Sequence, residues 1–145
     1  MILLDTNVLS ALMQLQPDPQ VVAWLDAQAA ESIWLSTITV FEARYGLELL
    51  ADGQRKRLLQ ERFDGLLRED LENRLLPFDA SAAAQAATLA SDRKAHGRSV
   101  DMRDTFIAGI AMARRAAIAT RNTCHFEGLT VPVVNPWLVM GRGAA

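Results

Sequence analysis

The chain opens on an unbroken apolar run, Ile2-Leu3-Leu4, that stops at a carboxylate, Asp5, followed by Thr6 and Asn7. A short continuous apolar run fits a strand buried on both faces, as in a parallel sheet covered by helices. Beyond it the pattern turns helical. Residues 8–13 predict a short helix, broken by Pro17-Asp18-Pro19, and residues 20–30 an amphipathic one carrying Val21, Val22, Trp24 and Leu25. Residues 33–35 read as a second strand. Residues 37–50 follow as a helix bearing Ile38, Phe41, Tyr45 and Leu49, which ends near Gly53.

The clearest surface helix is 54–71, where Leu58, Leu59, Phe63, Leu66, Leu67 and Leu71 share a face opposite Arg, Lys, Glu and Gln. Residues 74–78 give a brief third strand. Asp79 then suits the N-cap of an alanine-rich helix over 80–95, with Gly97 as its terminator. A helix over 102–115, a strand over 117–120 and a last strand over 130–134, closed by Pro136, complete the chain. Strands alternating with helices predict a three-layer α/β fold with a mainly parallel central sheet of about five strands flanked by helices. In such folds ligands bind along the edge where strands end and helices begin.

Composition narrows the class. At 145 residues the chain is long enough for one ordinary core, expected over 1–140 with a flexible tail at 141–145. The single Cys124 forms no internal disulfide, Met1 leads straight into the first strand without a signal sequence, and no apolar run is long enough for a membrane helix. A cytoplasmic protein is expected. The net charge of −2 argues against generic electrostatic capture of nucleic acid. It does not exclude a nuclease, whose acids depress the net charge until cations bind. Arg outnumbers Lys thirteen to two, which suits bidentate phosphate contacts, although solvated helix faces account for most of these residues.

Four polar positions fall on the strand-end edge: Asp5 after the first strand, Glu42 early in the helix after the second, Asp104 early in the helix before the fourth, and Asn122 just after that strand. Converging carboxylates repel one another unless a cation sits among them, and Mg²⁺ or Mn²⁺ prefers such oxygen ligands. One or two such ions promote phosphodiester hydrolysis. Plainer explanations exist for two of these acids. Thr39-x-x-Glu42 fits a capping box, and Asp101-x-x-Asp104 fits an N-cap with a second acid favoured by the helix dipole. Asp5 resists that account, because a carboxylate at a buried strand end is a poor stabiliser.

Taken together, the motifs resemble the PIN-domain family, and within it the VapC-type, FitB-like toxins of bacterial toxin–antitoxin pairs. The resemblance rests on Met1-Ile-Leu-Leu-Asp-Thr-Asn-Val-Leu-Ser10, on Leu35-Ser-Thr-Ile-Thr-Val-Phe-Glu42 with Arg44 and Gly46, and on Asp104-Thr-Phe-Ile-Ala-Gly-Ile-Ala111. It extends to Ala119-Thr-Arg-Asn-Thr123, Phe126 and Val134-Asn-Pro-Trp137. It implies a metal-dependent endoribonuclease in which Asp5, Glu42 and Asp104 are the catalytic, metal-holding acids and Mg²⁺ or Mn²⁺ is the cofactor. Thr6 would orient a ligand or water, and Arg121 or another nearby Arg would position phosphate, a solvated loop charge being the alternative reading of Arg121. The family's fourth acidic position falls on Asn122, which can hold a water but adds no negative charge, so one- and two-cation centres both fit this donor set. The resemblance also implies an RNA substrate, a cognate antitoxin whose tail enters the acidic site, a homodimer, and DNA contact only through the antitoxin.

Two other functions compete. A strand-end Asp with Mg²⁺ also serves aspartyl-phosphate phosphatases, but these use a second Asp two residues on, where this chain has Asn7. A non-catalytic, antitoxin-binding subunit of an autoregulatory DNA-binding complex is the other. No helix-turn-helix or basic stripe suggests that the chain reads DNA itself. Trp24, Trp34, Trp137 and Phe126 are expected in the core or an interface, His96 at a helix end, and His125 beside Cys124 without partners for chemistry.

Overall fold

Among the described residues five short strands form one sheet, and every pairing in it is parallel. The computed structural model describes residues 1–139, so the tail expected at 141–145 lies outside the described residues. In chain order the elements are β1 (Ile2–Leu4), α1 (Thr6–Leu12), α2 (Pro19–Asp26), β2 (Ile33–Ser36), α3 (Thr37–Glu48), α4 (Gln54–Gly65) and β3 (Leu75–Leu76). They continue with α5 (Ala80–Ala95), α6 (Met102–Arg114), β4 (Ala117–Ala119) and β5 (Val133–Val134). Across the sheet the strands run β3-β2-β1-β4-β5. The chain thus builds outward from β1 in one direction and returns to build in the other, and the switch lies between β1 and β4. In open parallel sheets that switch leaves a crevice beyond the strand ends, where ligands bind.

Successive strand residues face opposite layers, so β1 feeds two cores at once. Leu4 packs with Val8, Leu9, Val21, Trp24, Leu35 and Phe63. Leu3 packs on the other side with Leu76, Ala82, Ile107, Ile110 and Ile118. This is the three-layer α/β arrangement expected from the alternation of elements. Among the described residues no helix is long and apolar enough to cross a membrane.

Several boundaries differ from the sequence reading, each for a local reason. Helix α1 begins at Thr6 rather than 8, because Asp5 itself acts as N-cap and accepts the Thr6 N–H. Helix α2 stops at Asp26, and residues 27–29 form the turn leading into a 3-10 segment, Ala30–Ser32. The long helix expected over 54–71 is α-helical only to Gly65 and widens into a π-helical turn at Leu66–Asp70. Phe63, Leu67 and Leu71 on it are buried as expected, but Leu58 is half exposed. In α3 the outward face carries Phe41, Tyr45 and Leu49, which are 61%, 54% and 68% exposed, with the two rings stacked. The strands over 74–78 and 130–134 shrink to two residues each. Helix α5 spans the expected 80–95, and Asp79 caps it by accepting the Ala82 N–H.

Helix α6 ends on Arg115 in the left-handed conformation, with φ 54° and ψ 39°. A side chain pays about 1–2 kcal/mol for that conformation, of which Gly's extra chain entropy offsets part. Arg115→Gly is expected to stabilise the fold by up to about 1 kcal/mol, read as a rise of a few degrees in Tm. An unchanged or lower Tm would show that the Arg115 side chain contributes more than its backbone strain removes.

Candidate active site

The crevice between β1 and β4 is built by their register. Leu4 pairs with Ala119, and the Asp5 N–H donates to the Ala119 carbonyl at 2.9 Å, so Asp5 and Thr120 are neighbours just beyond the strand ends. Asp5 is only 5% exposed. Its Oδ1 accepts the Thr6 N–H at 2.8 Å and its Oδ2 accepts the Thr120 hydroxyl at 2.7 Å. Burial pushes its pKa above the ordinary carboxylate value, the two hydrogen bonds pull it back, and the charges of Asp104 and Glu42 push it up further.

Glu42 reaches this edge from α3. The capping-box account of it does not hold, because the N-cap is Ser36, whose Oγ accepts the Thr39 N–H at 3.0 Å. That places Glu42 in the second turn, where no cap needs it. Its Oε1 accepts the Thr6 hydroxyl at 2.9 Å, and its Oε2 takes Arg103 Nη1 at 3.3 Å. Asp104 arrives from α6. Here the helix-cap account is right for Asp101, whose Oδ1 accepts the Asp104 N–H at 3.0 Å. The Asp104 carboxylate itself points elsewhere, with Oδ2 2.8 Å from His125 Nδ1. Burial raises its pKa, the Asp101 charge raises it further, and the His125 hydrogen bond opposes both.

Three acids from three elements therefore share one crevice and repel one another through it. The donor set suits a hard divalent cation in kind, being carboxylate oxygen throughout. As the side chains lie, however, no three acid, His or Cys groups among the described residues are gathered closely enough to grip an ion. Instead, Arg103 pairs with Glu42, and the His125 ring lies within hydrogen-bond distance of Asp104.

The remaining expected residues are placed as follows. Thr6 bridges the Asp5 and Glu42 carboxylates, through its N–H and its hydroxyl respectively. Asn122 meets the site through its backbone N–H, which donates to Thr120 Oγ1 at 3.0 Å. The Arg121 guanidinium lies over the Trp137 ring, 4.9 Å from its centroid, which anchors the loop after β4. Asn7 is held by this loop: its Oδ1 accepts the Arg121 N–H and its Nδ2 donates to Thr120. Trp24 and Phe126 are buried, and Trp34 and Trp137 are half-buried. His125 does have a partner, contrary to expectation, because the 3-10 turn Thr123–Phe126 folds it back onto Asp104. The sequence reading also missed Thr120 and Arg103. Thr120 occupies the same strand-end position in β4 that Asp5 occupies after β1, a signal visible only once the register is known.

A groove of about 1090 Å³ runs from Thr6 and Glu42 between α1, α3 and α4. Leu9, Met13, Leu47 and Leu59 line it, and Arg55 and Arg57 stand at its border. A second, smaller hollow of about 570 Å³ lies on the Asp104 side, with Arg93, Arg98 and His125 in its wall.

Comparison with known proteins gives a consistent picture. Residues 2–127 match the PIN domain. The chain is similar to the VapC ribonuclease Y4jK of Sinorhizobium fredii, 42% identical over 137 residues that span 94% of this chain and 98% of that protein. It is also similar to the toxin FitB of Neisseria gonorrhoeae, 43% identical over 94% of this chain and 99% of that one. The solved structure of FitAB bound to an IR36 DNA fragment superposes with a TM-score of 0.89 at 42% identity, covering 98% of this chain and 99% of that one.

Proposed function

The chain belongs to the PIN-domain family, and on that footing we propose that it is a cytoplasmic, divalent-cation-dependent endoribonuclease acting as the toxin of a toxin–antitoxin pair. The observation that carries this reading is the convergence of Asp5, Glu42 and Asp104 from β1, α3 and α6 on one crevice, where their charges reach one another. Asp5 and Asp104, with Glu42 directly or through water, would hold Mg²⁺ or Mn²⁺, which would supply Lewis acidity toward a phosphodiester. Around it the chain's own groups orient and bind. Thr6 keeps the Glu42 and Asp5 carboxylates in fixed relation. Arg103, whose side chain is 58% exposed beside Glu42, is available to exchange that carboxylate for a substrate phosphate, the role first expected of Arg121.

Arg103→Ala is accordingly expected to raise the KM for RNA roughly tenfold, the value of one charge-assisted hydrogen bond. Sensitivity to chelator should persist. An unchanged KM in steady-state cleavage assays would remove Arg103 from the substrate contact.

Partners follow from the same reading. An antitoxin segment with an apolar face matches the stretch of the groove lined by Leu9, Met13, Leu47 and Leu59, and a terminal Arg would meet Glu42 at its site end. DNA contact, on this account, belongs to the antitoxin, as part of an autoregulatory complex. A homodimer is also proposed, and sedimentation of the purified chain tests it; the outward stripe of Phe41, Tyr45 and Leu49 is apolar surface of the kind that subunits cover.

The activity is tested by incubating the purified chain, free of partner protein, with total cellular RNA in Mg²⁺ or Mn²⁺ and mapping the cut ends. Discrete internal cuts that vanish with chelator support the proposal. Intact RNA together with rapid hydrolysis of a small phosphomonoester would favour the phosphatase alternative. The Asn7 side chain, spent on Thr120 and the Arg121 N–H, gives that alternative no second acid.

A further inference from the structure

We propose that Thr120 is a positioning residue for Asp5, fixing the carboxylate that takes a divalent cation; this rests on the cation-dependent reading of the site. Because Leu4 pairs with Ala119, Asp5 and Thr120 are the first residues past two adjacent strand ends, and Thr120 is fully buried there. Its own N–H is taken by the Val134 carbonyl at 2.9 Å, so its backbone is tied to β5 as Asp5 is tied to β4.

A threonine hydroxyl has one hydrogen to give and two lone pairs to receive. At Thr120 Oγ1 two donors arrive: the Asn122 N–H at 3.0 Å and the Asn7 side-chain amide at 3.4 Å. With both lone pairs engaged, the hydroxyl hydrogen is left for Asp5 Oδ2, at 2.7 Å. The other oxygen, Oδ1, takes the Thr6 N–H. Asp5 is therefore held at both oxygens, and a carboxylate with about four lone-pair sites keeps acceptor capacity on each. Groups that hold a ligating carboxylate in this way commonly contribute 10–100-fold to metal affinity or rate.

The same network gives position 122 a role that no acid is needed to fill. What the pocket draws from that residue is its N–H, and any residue but proline supplies it. The pair formed by Asp5 and Thr120, supported by Asn7, then carries the orientation that a fourth carboxylate would otherwise share.

The test compares Mn²⁺ binding by calorimetry in the wild-type chain, Asp5→Asn, Thr120→Val and Thr120→Ser, each checked for folding by circular dichroism. Thr120→Val keeps the shape and removes the hydroxyl, so its Mn²⁺ Kd is expected to weaken by about 10–100-fold. Its kcat on RNA should fall while the RNA KM holds. Thr120→Ser should restore binding to within about threefold, a rescue that a purely packing role would not predict. Wild-type affinity in Thr120→Val, or a Ser variant as weak as Val, would overturn the proposal. If wild type and Asp5→Asn bind Mn²⁺ equally poorly, the cation-dependent reading fails and takes this inference with it. Should Thr120→Val not fold, proton NMR of the wild-type chain decides. A slowly exchanging Thr120 hydroxyl proton with a cross-peak to the Asn122 amide is expected, and its absence overturns the proposal.

Discussion

Asp5→Asn is expected to lose RNA cleavage by at least about 10²-fold, the scale of removing one electrostatic stabiliser from an active site. It should also change how stability depends on pH. Asp5 is nearly fully buried, and its folded-state pKa lies above its ordinary value. The folded chain thus holds that proton more tightly than the unfolded one. The stability this contributes is complete below the unfolded value of 3.8 and is lost as pH rises through the raised folded value. At neutral pH, without a cation, the ionised carboxylate opposes folding, and Asp104 adds to the effect in the same direction. Thermal melts in chelator should therefore show wild type losing ground to Asp5→Asn as pH rises from 4 to 7. Divalent cation should reverse that trend for wild type and leave the variant unmoved. A pH-independent difference between the two would mean that Asp5 does not carry the buried charge described here. Such an arrangement, a site that lowers stability to gain chemistry, is a common cost of function.

Gly109→Ala is the second large effect, and it is a matter of packing. Gly109 faces α5 from the middle of α6, where a Cβ would stand 2.5 Å from the Ala82 carbonyl oxygen, 2.8 Å from Ala86 Cβ and 3.0 Å from Ala86 N. Two of those atoms are helix backbone and cannot turn aside, so the helices must separate. Forced overpacking of this kind loses about 1–3 kcal/mol, which outweighs the roughly 1 kcal/mol that Ala gains over Gly in a helix. A lower midpoint in urea is expected, with Gly109→Val lower still. Because α6 opens with Asp101 and Asp104, its retreat should also reduce cleavage more than the stability loss alone would. An unchanged midpoint for Gly109→Ala would show that the α5–α6 contact is looser than the distances state.

Much of this fold could be read from apolar spacing and caps, because those are local signals. Asp79 and Asp101 act as N-caps where the sequence placed them, and the first apolar run is the central strand. Other features needed the third dimension. The helix expected from residue 37 starts where α3 does, yet Thr39-x-x-Glu42 also fits a capping box. Only the Thr39 N–H bond to Ser36 Oγ shows that Ser36 is the cap, which frees Glu42 for the crevice. Phe41, Tyr45 and Leu49 repeat every fourth residue as core residues do, yet they face outward, since Thr39 and Leu47 fill the inner face of α3. The π-helical turn at Leu66–Asp70 leaves no mark in the apolar pattern, because Phe63, Leu67 and Leu71 stay buried on either side of it and within it.

The candidate site divides in the same way. Asp5, Glu42 and Asp104 were legible because each stands where a strand ends or a helix begins, the edge at which open α/β folds bind ligands, although for Glu42 and Asp104 a capping or dipole role fits the same positions. Thr120 was not legible, since a β-branched residue ending a strand is what strand propensity alone would place there. His125 appeared unpartnered because the turn that returns it to Asp104 is too short to announce itself. Arg103 sits two residues past its cap on the helix that carries Asp104, and only the packing of α6 beside α3 brings it to Glu42.

The central claim is that Asp5, Glu42 and Asp104 form one cation-dependent ribonuclease centre. It is tested most directly by the single-turnover rate of cutting one mapped RNA as Mn²⁺ is raised, in wild type, Asp5→Asn, Glu42→Gln and Asp104→Asn. The account predicts a saturable rise in wild type, background rates in chelator, and a fall of at least about 10²-fold in each variant at cation levels that saturate wild type. Cleavage that persists in chelator, or that any folded member of the three variants performs at the wild-type rate, would contradict it.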